Sequence, residues 1–550
     1  MLKHRRPDWL LLAVVLLSVG VRAVFATLPR MARWDEASYL LIARNLLAGQ
    51  GYRELVGGFD MHQPPLITLL AAAGMMLHLP LKWAAALPAH VLLGGLSVLP
   101  LYALGRVVYG RSAGLLAALL GALYPALAVG PLYSGSLTES PALLLILSGV
   151  YATYRTGEAI ARNNRAAGWA ALAGACFGLG YLARPESLMF ALVMLLYLGM
   201  MALLRRQRTL GRTLQASVLM GVTLALVMSP YVIYLHRITG YWTLSGKAGT
   251  GMEIAWALVN HDQTLHDLAA ASLDSSGEKI IWLSSEGLAV GMGDWIAANP
   301  QRFQTLVKYN MRSTVEVLFS APMVGLPVAA LAVVGLFSRR WDRRRWQTHF
   351  LLLLTFVPLA GLWVAFIDKR LLLVYLAVVL LPAGAGLAHI MRWAAQWPGA
   401  QRATRLSRVV AGLPVALLVA WLMWSGVQTA RESSRTLPFY RLETARWLAE
   451  NTPSDTRIMT RNAETVLYAD RAMVAFPNAA WELVIRYAQS HGASYLVVDE
   501  WEINTVRPFL QPLLTPTTPS PLPHIELVQV LPHAGRDTYI YRFVDMQSVP

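Results

Sequence analysis

Cysteine is almost absent from this sequence, because Cys176 is the only one among 550 residues. A single thiol cannot form an intrachain disulfide or supply a cysteine-rich metal site, so both of these stabilising devices are excluded. Cys176 lies inside an apolar stretch and gives no indication of thiol chemistry. Cysteine usage is therefore silent about the redox compartment.

Charged residues are also scarce, at 14% of the chain, whereas 56% of the residues are hydrophobic and the mean hydropathy is +0.45. Soluble domains are only about half apolar, so lipid is expected to cover much of this chain. Acidic residues number 31 against 47 basic ones, which gives a net charge of +16. Nucleic-acid binding would need these basic residues on one face or segment. They form short clusters between apolar runs instead, so no nucleic acid is expected as a partner.

Apolar runs of about 17 to 25 residues, long enough to cross a hydrocarbon core, recur along the chain. They predict about eleven transmembrane helices, near residues 9–28, 84–104, 113–131, 139–154, 167–183, 187–204, 213–235, 314–337, 349–366, 371–391 and 409–427. Residues 9–21 of the first run resemble a signal peptide but lack a small-residue cleavage pattern, and Arg22 follows them. We therefore expect an uncleaved first span, with a cleaved signal as the alternative.

Lysine and arginine occupy alternate connections between the predicted spans, and positive residues near span ends stay in the cytoplasm. These clusters are Lys3, Arg5 and Arg6; Arg106 and Arg111; Arg155, Arg162 and Arg165; Arg205, Arg206, Arg208 and Arg212; Arg339, Arg340, Arg343, Arg344 and Arg345; and Arg392, Arg402, Arg405 and Arg408. The pattern predicts a multi-pass plasma (inner) membrane protein with a cytoplasmic N-terminus. The loops 29–83 and 236–313 and the tail after residue 427 would then lie outside.

The tail loses its transmembrane character from about Pro438. Helical patterns cover 440–451 and 481–490, and strand patterns cover 457–460, 495–499, 525–531 and 538–544. A helix, a glycine stop and an apolar strand form an αβ unit. We therefore predict a transmembrane module at 1–430 and a small extracytoplasmic α/β domain at 438–550.

The first outer loop, 29–83, begins with the polar motif Arg33-Trp34-Asp35-Glu36. The apolar residues that follow, up to Leu47, cover one broad face and predict an amphipathic helix at the membrane surface. Asp35 and Glu36 have a structural interpretation as the N-cap and first-turn acid of that helix. Asp35 has a functional interpretation as a general base or as the ligand of a metal that gathers phosphate. The spacing leaves both interpretations open.

A second polar motif, Asp60-Met61-His62-Gln63-Pro64-Pro65, introduces another apolar helix at 67–77. The paired prolines would fix the entry of the chain into that helix and hold His62 and Gln63 above the membrane. A histidine in such a turn is usually a solvated loop residue, but the neighbouring acids favour a function. Asp35 and His62 are therefore candidate metal ligands.

Taken together, these motifs resemble the start of the protein mannosyltransferase and aminoarabinose transferase superfamily. The resemblance rests on a first span followed by Arg33, Asp35, Glu36, Tyr39, Ala43 and Arg44, then His62, Pro64, Pro65 and Leu66, and later on the segments 138–141, 182–186 and 368–370. It covers the whole architecture, and its motifs are strong through about residue 190. It implies a polytopic α-helical GT-C fold and a glycosyltransferase that uses polyprenyl-phosphate sugars.

The resemblance also implies roles for individual residues. Asp35 matches the aspartate regarded as catalytic, which would deprotonate the acceptor, and Glu36 matches its acidic neighbour. Arg33 belongs to the same motif and is a candidate substrate-binding residue. His62 and Gln63 stand where relatives often carry an acidic residue or histidine followed by lysine. Since Gln63 lacks the charge of that lysine, other residues must neutralise the phosphate.

Further substrate-binding candidates lie on other outer connections. Glu139 resembles a second acid of the same cavity, although a first-turn helix acid would look the same. Arg184 and Arg370 could neutralise a lipid-linked phosphate, or they could only snorkel at span ends. Lys247 follows Gly246 just after the seventh span, where backbone N–H groups could approach an anion, although no Walker spacing is present.

The sequence therefore predicts an inverting hexosyl- or pentosyltransferase that moves a sugar from a polyprenyl phosphate to a protein, lipid or glycan acceptor on the extracytoplasmic side. Membrane lipids surround it, and a divalent ion such as Mg, Mn or Zn is a candidate cofactor. The alternative is a transporter or flippase of a lipid-linked sugar, but we find no convincing internal repeat, and the acids gather at one face. A third alternative is an inactive glycolipid-binding scaffold.

Overall fold

The computed structural model describes residues 8–204, 209–247, 250–396, 404–515 and 520–545. Its first part is helical. The helices are α1 (Trp9–Thr27), α2 (Asp35–Leu47), α3 (Pro65–Met76), α4 (Leu81–Ala84), α5 (Val98–Tyr109), α6 (Arg111–Leu123), α7 (Pro125–Ala128), α8 (Gly130–Tyr133), α9 (Glu139–Ala161), α10 (Ala167–Ala183), α11 (Ser187–Leu204), α12 (Leu210–Thr239), α13 (Gly251–Val259), α14 (Gln263–Ala271), α15 (Glu286–Ala289), α16 (Met292–Ala298), α17 (Pro300–Leu318), α18 (Gly325–Phe337), α19 (Arg343–Leu354), α20 (Leu359–Trp363), α21 (Leu373–Ala395) and α22 (Thr404–Arg435). A π-helix (Ala86–Gly94) lies between α4 and α5, and 3₁₀ turns cover Ile281–Leu283 and Lys369–Leu372.

Seven helical stretches among these residues are long and apolar enough to cross a membrane. They are Trp9–Thr27, Leu81–Tyr109, Ser187–Leu204, Leu210–Thr239, Arg345–Trp363, Lys369–Ala395 and Gly412–Arg435. Shorter apolar helices cover Pro65–Met76, Arg111–Leu123, Ala167–Ala183 and Gly325–Phe337. The chain is therefore a polytopic helical membrane protein. The number of about eleven spans stays a prediction.

Three predicted spans are interrupted, and proline accounts for each break. Tyr124 is extended directly before Pro125, so the predicted span 113–131 stops after residue 123. Pro322 lies in the turn that separates α17 from α18, and the predicted span 314–337 therefore starts only at residue 325. The predicted span 349–366 divides around Pro358, which precedes α20.

The predicted basic clusters are only partly visible. Lys3, Arg5, Arg6, Arg205, Arg206, Arg208 and Arg402 lie outside the described residues, as do the side chains of Arg343, Arg344, Arg405 and Arg408. The arginines that remain are taken up below.

Helix α2 corrects one expectation, because it is covered by protein rather than exposed at a membrane surface. Residues 36–43 are all buried, and the helix packs between α3 and the C-terminal unit. Arg44 near its end donates to the carboxylate of Asp470 at 2.8 Å and to the carbonyl of Arg471 at 2.7 Å. The face that sequence patterning assigns to water thus meets another part of the chain.

The C-terminal unit is an α/β fold. Its elements are α23 (Tyr440–Asn451), β1 (Arg457–Thr460), α24 (Ala463–Ala469), β2 (Ala472–Ala475), α25 (Trp481–Ser490), β3 (Tyr495–Asp499), a π-helix (Glu502–Val506), a 3₁₀ segment (Pro508–Leu514), β4 (Ile525–Leu531) and β5 (Thr538–Phe543). The strand order is β2-β1-β3-β5-β4. Strand β1 is parallel to β2 and β3, whereas β5 is antiparallel to β3 and β4. Apolar side chains such as Ile458, Val474 and Ile540 are buried in its core.

Two loops, 29–83 and 236–313, are attached to this unit. In the long loop, the carboxylate of Asp267 accepts hydrogen bonds from Arg461 (2.7 Å), Arg507 (2.9 Å) and Asn478 (3.0 Å). In the first loop, the N–H of Val56 donates to the carbonyl of Met473 in β2 at 2.8 Å. These contacts fix the C-terminal unit above the polar loops that contain the candidate site.

Candidate functional site

Asp35, the first residue of α2, lies at the centre of the candidate site. One carboxylate oxygen is 3.5 Å from the amide nitrogen of Gln63, and the other is 3.4 Å from a guanidinium nitrogen of Arg370. The side chain of Asp35 is 31% exposed. Both contacts are long for hydrogen bonds. The carboxylate is therefore ion-paired, weakly held and accessible to a substrate.

Arg370 is positioned by its own turn and by a neighbouring connection. Its backbone N–H donates to the carboxylate of Asp368 at 2.9 Å, and its carbonyl accepts from Arg184 at 3.5 Å. Arg184 also pairs with Glu186 at 3.1 Å. Arg184 and Arg370 come from distant parts of the sequence and are in contact here, and the guanidinium of Arg370 lies next to Asp35.

Glu139, the first residue of α9, is 2% exposed. Neither of its carboxylate oxygens has a hydrogen-bond partner among the described residues. Arg184, Arg370 and Asp35 are all within electrostatic range of it. A buried carboxylate is costly unless its charge is compensated. The two arginines supply that compensation from a distance and leave the oxygens of Glu139 available.

The turn at 60–63 positions Gln63 against Asp35. The carboxylate of Asp60 accepts the backbone N–H groups of His62 at 2.9 Å and Gln63 at 2.8 Å. Burial raises the pKa of Asp60 to about 6, although these two hydrogen bonds oppose the shift. The buried ring of His62 stacks on Trp282 with centroids 3.6 Å apart. Burial lowers the pKa of His62 well below its usual value, so the imidazole is neutral.

Three tyrosines clamp the same turn by its backbone, and the sequence patterns do not reveal them. Tyr52 donates to the carbonyl of Gln63 at 2.7 Å, and Tyr234 donates to that of Asp60 at 2.6 Å. Tyr231 donates to the carbonyl of Met61 at 3.3 Å. The spacing of Tyr231 and Tyr234 on α12 is the one available signal, because residues three apart share a helix face.

Lys247 lies at the edge of this cluster. It is exposed, and its charge acts on Asp60, His62 and Glu186. Its backbone N–H is bonded to the hydroxyl of Ser245 at 3.2 Å. The structure thus brings together six of the sequence-predicted residues around Asp35: His62, Gln63, Glu139, Arg184, Lys247 and Arg370.

Glu36 and Arg33 have other partners. Both carboxylate oxygens of Glu36 accept from the buried guanidinium of Arg30, at 2.6 and 2.5 Å. Burial raises the pKa of Glu36, and the positive charge of Arg30 opposes that shift. Arg33 donates to the carbonyl of Tyr133 at 2.9 Å and stacks on Trp34. Among the described residues, neither side chain is hydrogen-bonded to Asp35.

The metal site predicted at Asp35 and His62 stays a prediction. Gln63 and Arg370 lie 3.5 and 3.4 Å from the two oxygens of the Asp35 carboxylate, and the ring of His62 packs against Trp282. Among the described residues, no group of three or more His, Cys, Asp or Glu side chains could hold an ion.

Comparison with known proteins gives one family match and a shared fold. Residues 62–234 match the family of dolichyl-phosphate-mannose-protein mannosyltransferases. The chain also superposes on ArnT from Cupriavidus metallidurans bound to undecaprenyl phosphate, with a TM-score of 0.55, 14% identity and coverage of 97% of this chain and 98% of that one. The chain therefore shares its fold with ArnT and is similar to the mannosyltransferase family over residues 62–234. These two findings confirm the resemblance stated above.

Two structures of an archaeal oligosaccharyltransferase share this fold. An oligosaccharyltransferase from Archaeoglobus fulgidus, solved with Zn and sulfate, matches with a TM-score of 0.57 and 15% identity, over 90% of this chain and 68% of that one. AglB from the same organism, solved with an inhibitory peptide and a dolichol-phosphate, gives 0.55 and 14%, over 98% and 74%. The sequence has no match among the curated proteins.

Proposed function

We propose that this protein transfers a sugar from a polyprenyl phosphate to an acceptor, with Asp35 as the general base. The observation that carries the proposal is the Asp35 carboxylate, partly exposed and paired with Arg370 at 3.4 Å, in the fold of this superfamily. A base needs an accessible lone pair, and a leaving phosphate needs nearby cations. Asp35 supplies the first requirement, and Arg370 with Arg184 supplies the second.

The donor phosphate would be held by Arg184, Arg370 and Lys247, which approach the cluster from three separate connections. Undecaprenyl phosphate is bound in the ArnT structure and a dolichol-phosphate in the AglB structure, which supports a polyprenyl phosphate here. Arginine suits this task because its planar guanidinium can donate two parallel hydrogen bonds to phosphate. Gln63 supplies no charge, so these three cations replace the lysine expected at its position.

The proposed reaction is a single displacement. The acceptor nucleophile gives its proton to Asp35 and attacks the anomeric carbon, and the bond from that carbon to the phosphate oxygen breaks. The electron pair leaves with the polyprenyl phosphate, and the configuration inverts. Arg370 links the two ends of the reaction, because a phosphate that attracts its guanidinium weakens the pair with Asp35 and leaves that carboxylate free to accept the proton.

The acceptor would reach the site from the side covered by the C-terminal unit and the loop 236–313. The arginine distribution supports an extracytoplasmic location for that side. One structure of the archaeal oligosaccharyltransferase carries a tethered acceptor peptide, which supports a protein or peptide acceptor, while a lipid or glycan fits the same chemistry. Hexosyl and pentosyl donors are equally compatible with the described residues.

The test uses the full-length protein in membranes with a radiolabelled polyprenyl-phosphate sugar. Asp35→Asn keeps the shape of the side chain but removes the base, so we expect transfer to fall by roughly 100-fold to 10,000-fold. Asp455→Asn, at an exposed position of the C-terminal unit, is the matched control and should keep full activity. Expression and thermal stability should be unchanged in both variants.

Two results would contradict the proposal. Unchanged transfer by a well-folded Asp35→Asn variant would remove Asp35 from the base role. Movement of labelled donor across vesicles by the unaltered protein, without release of free polyprenyl phosphate, would favour the transporter instead.

A further inference from the structure

A cavity of about 930 Å³ lies at the opposite end of the helical module from Asp35. The start of α1 lines it, whereas Asp35 follows the end of α1. A helix of 19 residues is about 28 Å long, so the two sites are separated by most of a bilayer. The wall also includes the end of α5, the start of α6, the segment 338–342 and the end of α21.

Positive charge dominates the mouth of this cavity. Six arginines line it, and Asp342 is the one carboxylate among the lining residues: the arginines are Arg106, Arg111, Arg339, Arg340, Arg345 and Arg392. The carboxylate of Asp342 caps α19 by accepting the N–H of Arg345 at 2.7 Å. Arg111 is paired with Asp8 at 2.8 Å. Within the described ranges, the other five arginines of the cavity make no ion pair with a carboxylate.

The rest of the wall is largely apolar and partly exposed at the surface of the protein. Leu10, Val14 and Leu17 contribute from α1, and Leu115 and Leu119 contribute from α6. Leu10 is 58% exposed and Leu17 is 40% exposed. A free phosphate ion would fill only a small part of such a volume and would leave these walls uncovered. The lining of the cavity therefore suits an amphipathic ligand with an anionic head group.

Topology alone explains part of this pattern, since arginines collect at cytoplasmic span ends. It does not require them to converge from several connections on a single cavity. Arg345 shows that the convergence is built into the fold. It is 9% exposed, and its guanidinium donates to the carbonyls of Gly335 at 3.1 Å and Leu336 at 2.8 Å.

We propose that this cavity binds an anionic phospholipid of the leaflet that it faces. Arg106, Arg339 and Arg340 hold the phosphate head, and the acyl chains lie along α1 and α6. Basic pockets between transmembrane helices bind anionic head groups for the same electrostatic reason. The site is distinct from the donor site around Asp35. The lipid-binding proposal therefore does not depend on the proposed transfer reaction.

The experiment measures phosphatidylglycerol binding to the purified full-length protein by native mass spectrometry and by titration of a fluorescent analogue. The test variant is Arg339→Gln with Arg340→Gln. The matched control is Arg162→Gln with Arg165→Gln, which removes the same charge from another connection predicted to lie on the same face. Each arginine close to an anionic head group is worth about 1 kcal/mol, so two that hold a bound head group correspond to roughly 30-fold in affinity. We expect that loss in the test variant and no more than about a twofold loss in the control, because Arg162 and Arg165 do not line the cavity.

Three outcomes would overturn the proposal. Equal losses in both variants would mean that surface charge is responsible and that the cavity is not. Equal binding of phosphatidylcholine would mean that the apolar walls act without the arginines. Displacement of the lipid by millimolar glycerol phosphate would identify a free-anion site. Thermal unfolding of each variant checks that the protein is folded.

Discussion

At the scale of single residues, Asp35 and Glu36 are neighbours in sequence with different surroundings. Asp35 is 31% exposed and loosely paired, whereas Glu36 shares two short hydrogen bonds with Arg30 in the interior. Removing one partner of a buried pair leaves an uncompensated charge. The geometry therefore separates a reactive acid from a stabilising one.

We expect Glu36→Gln to destabilise the protein by about 3 kcal/mol, because Arg30 would then remain buried without a counter-charge. The measurement is the thermal unfolding midpoint of the purified protein in detergent, with Asp35→Asn as the matched neighbour, which should unfold close to the unaltered protein. A stable Glu36→Gln variant that has lost transfer would show that Glu36 acts in catalysis after all.

The pKa of Asp60 gives a prediction about pH. Since the folded-state pKa is about 6 and the ordinary value is 3.8, the folded protein retains a proton that the unfolded chain has released. The free energy of unfolding should therefore fall as pH rises from about 4 to about 6, by at most about 3 kcal/mol from this group.

Asp60→Asn keeps an acceptor for the two backbone N–H groups and cannot ionise. We expect its unfolding midpoint to change less between pH 4.5 and pH 7 than that of the unaltered protein, whereas the exposed control Asp455→Asn should follow the unaltered protein. Parallel pH profiles for all three proteins would exclude Asp60 as the titrating group.

Much of the candidate site could be predicted from sequence, because its residues belong to local motifs with a chemical signature. Asp35, Gln63 and Glu139 are of this kind. Trp282 and Tyr234 could not be predicted, since each reaches the turn at 60–63 from a part of the chain more than 150 residues away. Arg184 and Arg370 could be predicted as cations, but their meeting through the Arg370 carbonyl depends on how the helices pack.

At the scale of elements, α12 positions the turn at 60–63 as well as crossing the membrane. We expect Tyr234→Phe to reduce kcat/KM for transfer several-fold, because the hydroxyl donates to the Asp60 carbonyl at 2.6 Å and a lost hydrogen bond is worth about 1 kcal/mol. Steady-state kinetics with the labelled donor measures this. Tyr241→Phe, at an exposed ring beyond the end of the same helix, should have no effect. Equal kcat/KM values for the two variants would show that the hydrogen bond from Tyr234 to the turn at 60–63 has no role in transfer.

Sequence patterns predicted β1, β3, β4 and β5 within about a residue, because β3, β4 and β5 alternate or run apolar and β1 follows a turn signal at 452–455. Strand β2 (Ala472–Ala475) is as short as β1, and it was missed because it follows the short helix α24 directly, without such a turn signal. The interrupted spans were missed for a related reason. Hydropathy averages over a proline break that separates two apolar helices, whereas the backbone cannot continue through it.

At the scale of the whole molecule, Asp267 links the long loop 236–313 to the C-terminal unit. We expect Asp267→Asn to speed tryptic cleavage after the exposed Lys279, because Arg507 is 0% exposed and would lose its closest carboxylate. Limited proteolysis of the purified protein measures the rate. Asp262→Asn on the same helix is the control, since asparagine also caps helices well. Identical cleavage rates would show that Asp267 does not restrain the loop.

The packing of α2 against the C-terminal unit was the feature least predictable from the sequence. The amphipathic pattern of α2 indicated a helix between lipid and water, because sequence patterning identifies a polar face without naming what covers it. In the structure, Tyr468 from α24 accepts the N–H of Ala32 at 2.8 Å, and Arg44 pairs with Asp470. These contacts join residues more than 400 positions apart, a separation that no local motif encodes.

The hydrogen bond between the Val56 N–H and the Met473 carbonyl joins the loop 29–83 to the C-terminal unit. Strand β2 is an edge of the five-stranded sheet, and the loop 29–83 supplies a partner for its backbone. A fragment cut at residue 438 would leave that edge open, and open edges recruit strands from other molecules. The fragment 438–550 should therefore self-associate through β2. In the full chain, the loop 29–83 would prevent this association by pairing with that edge.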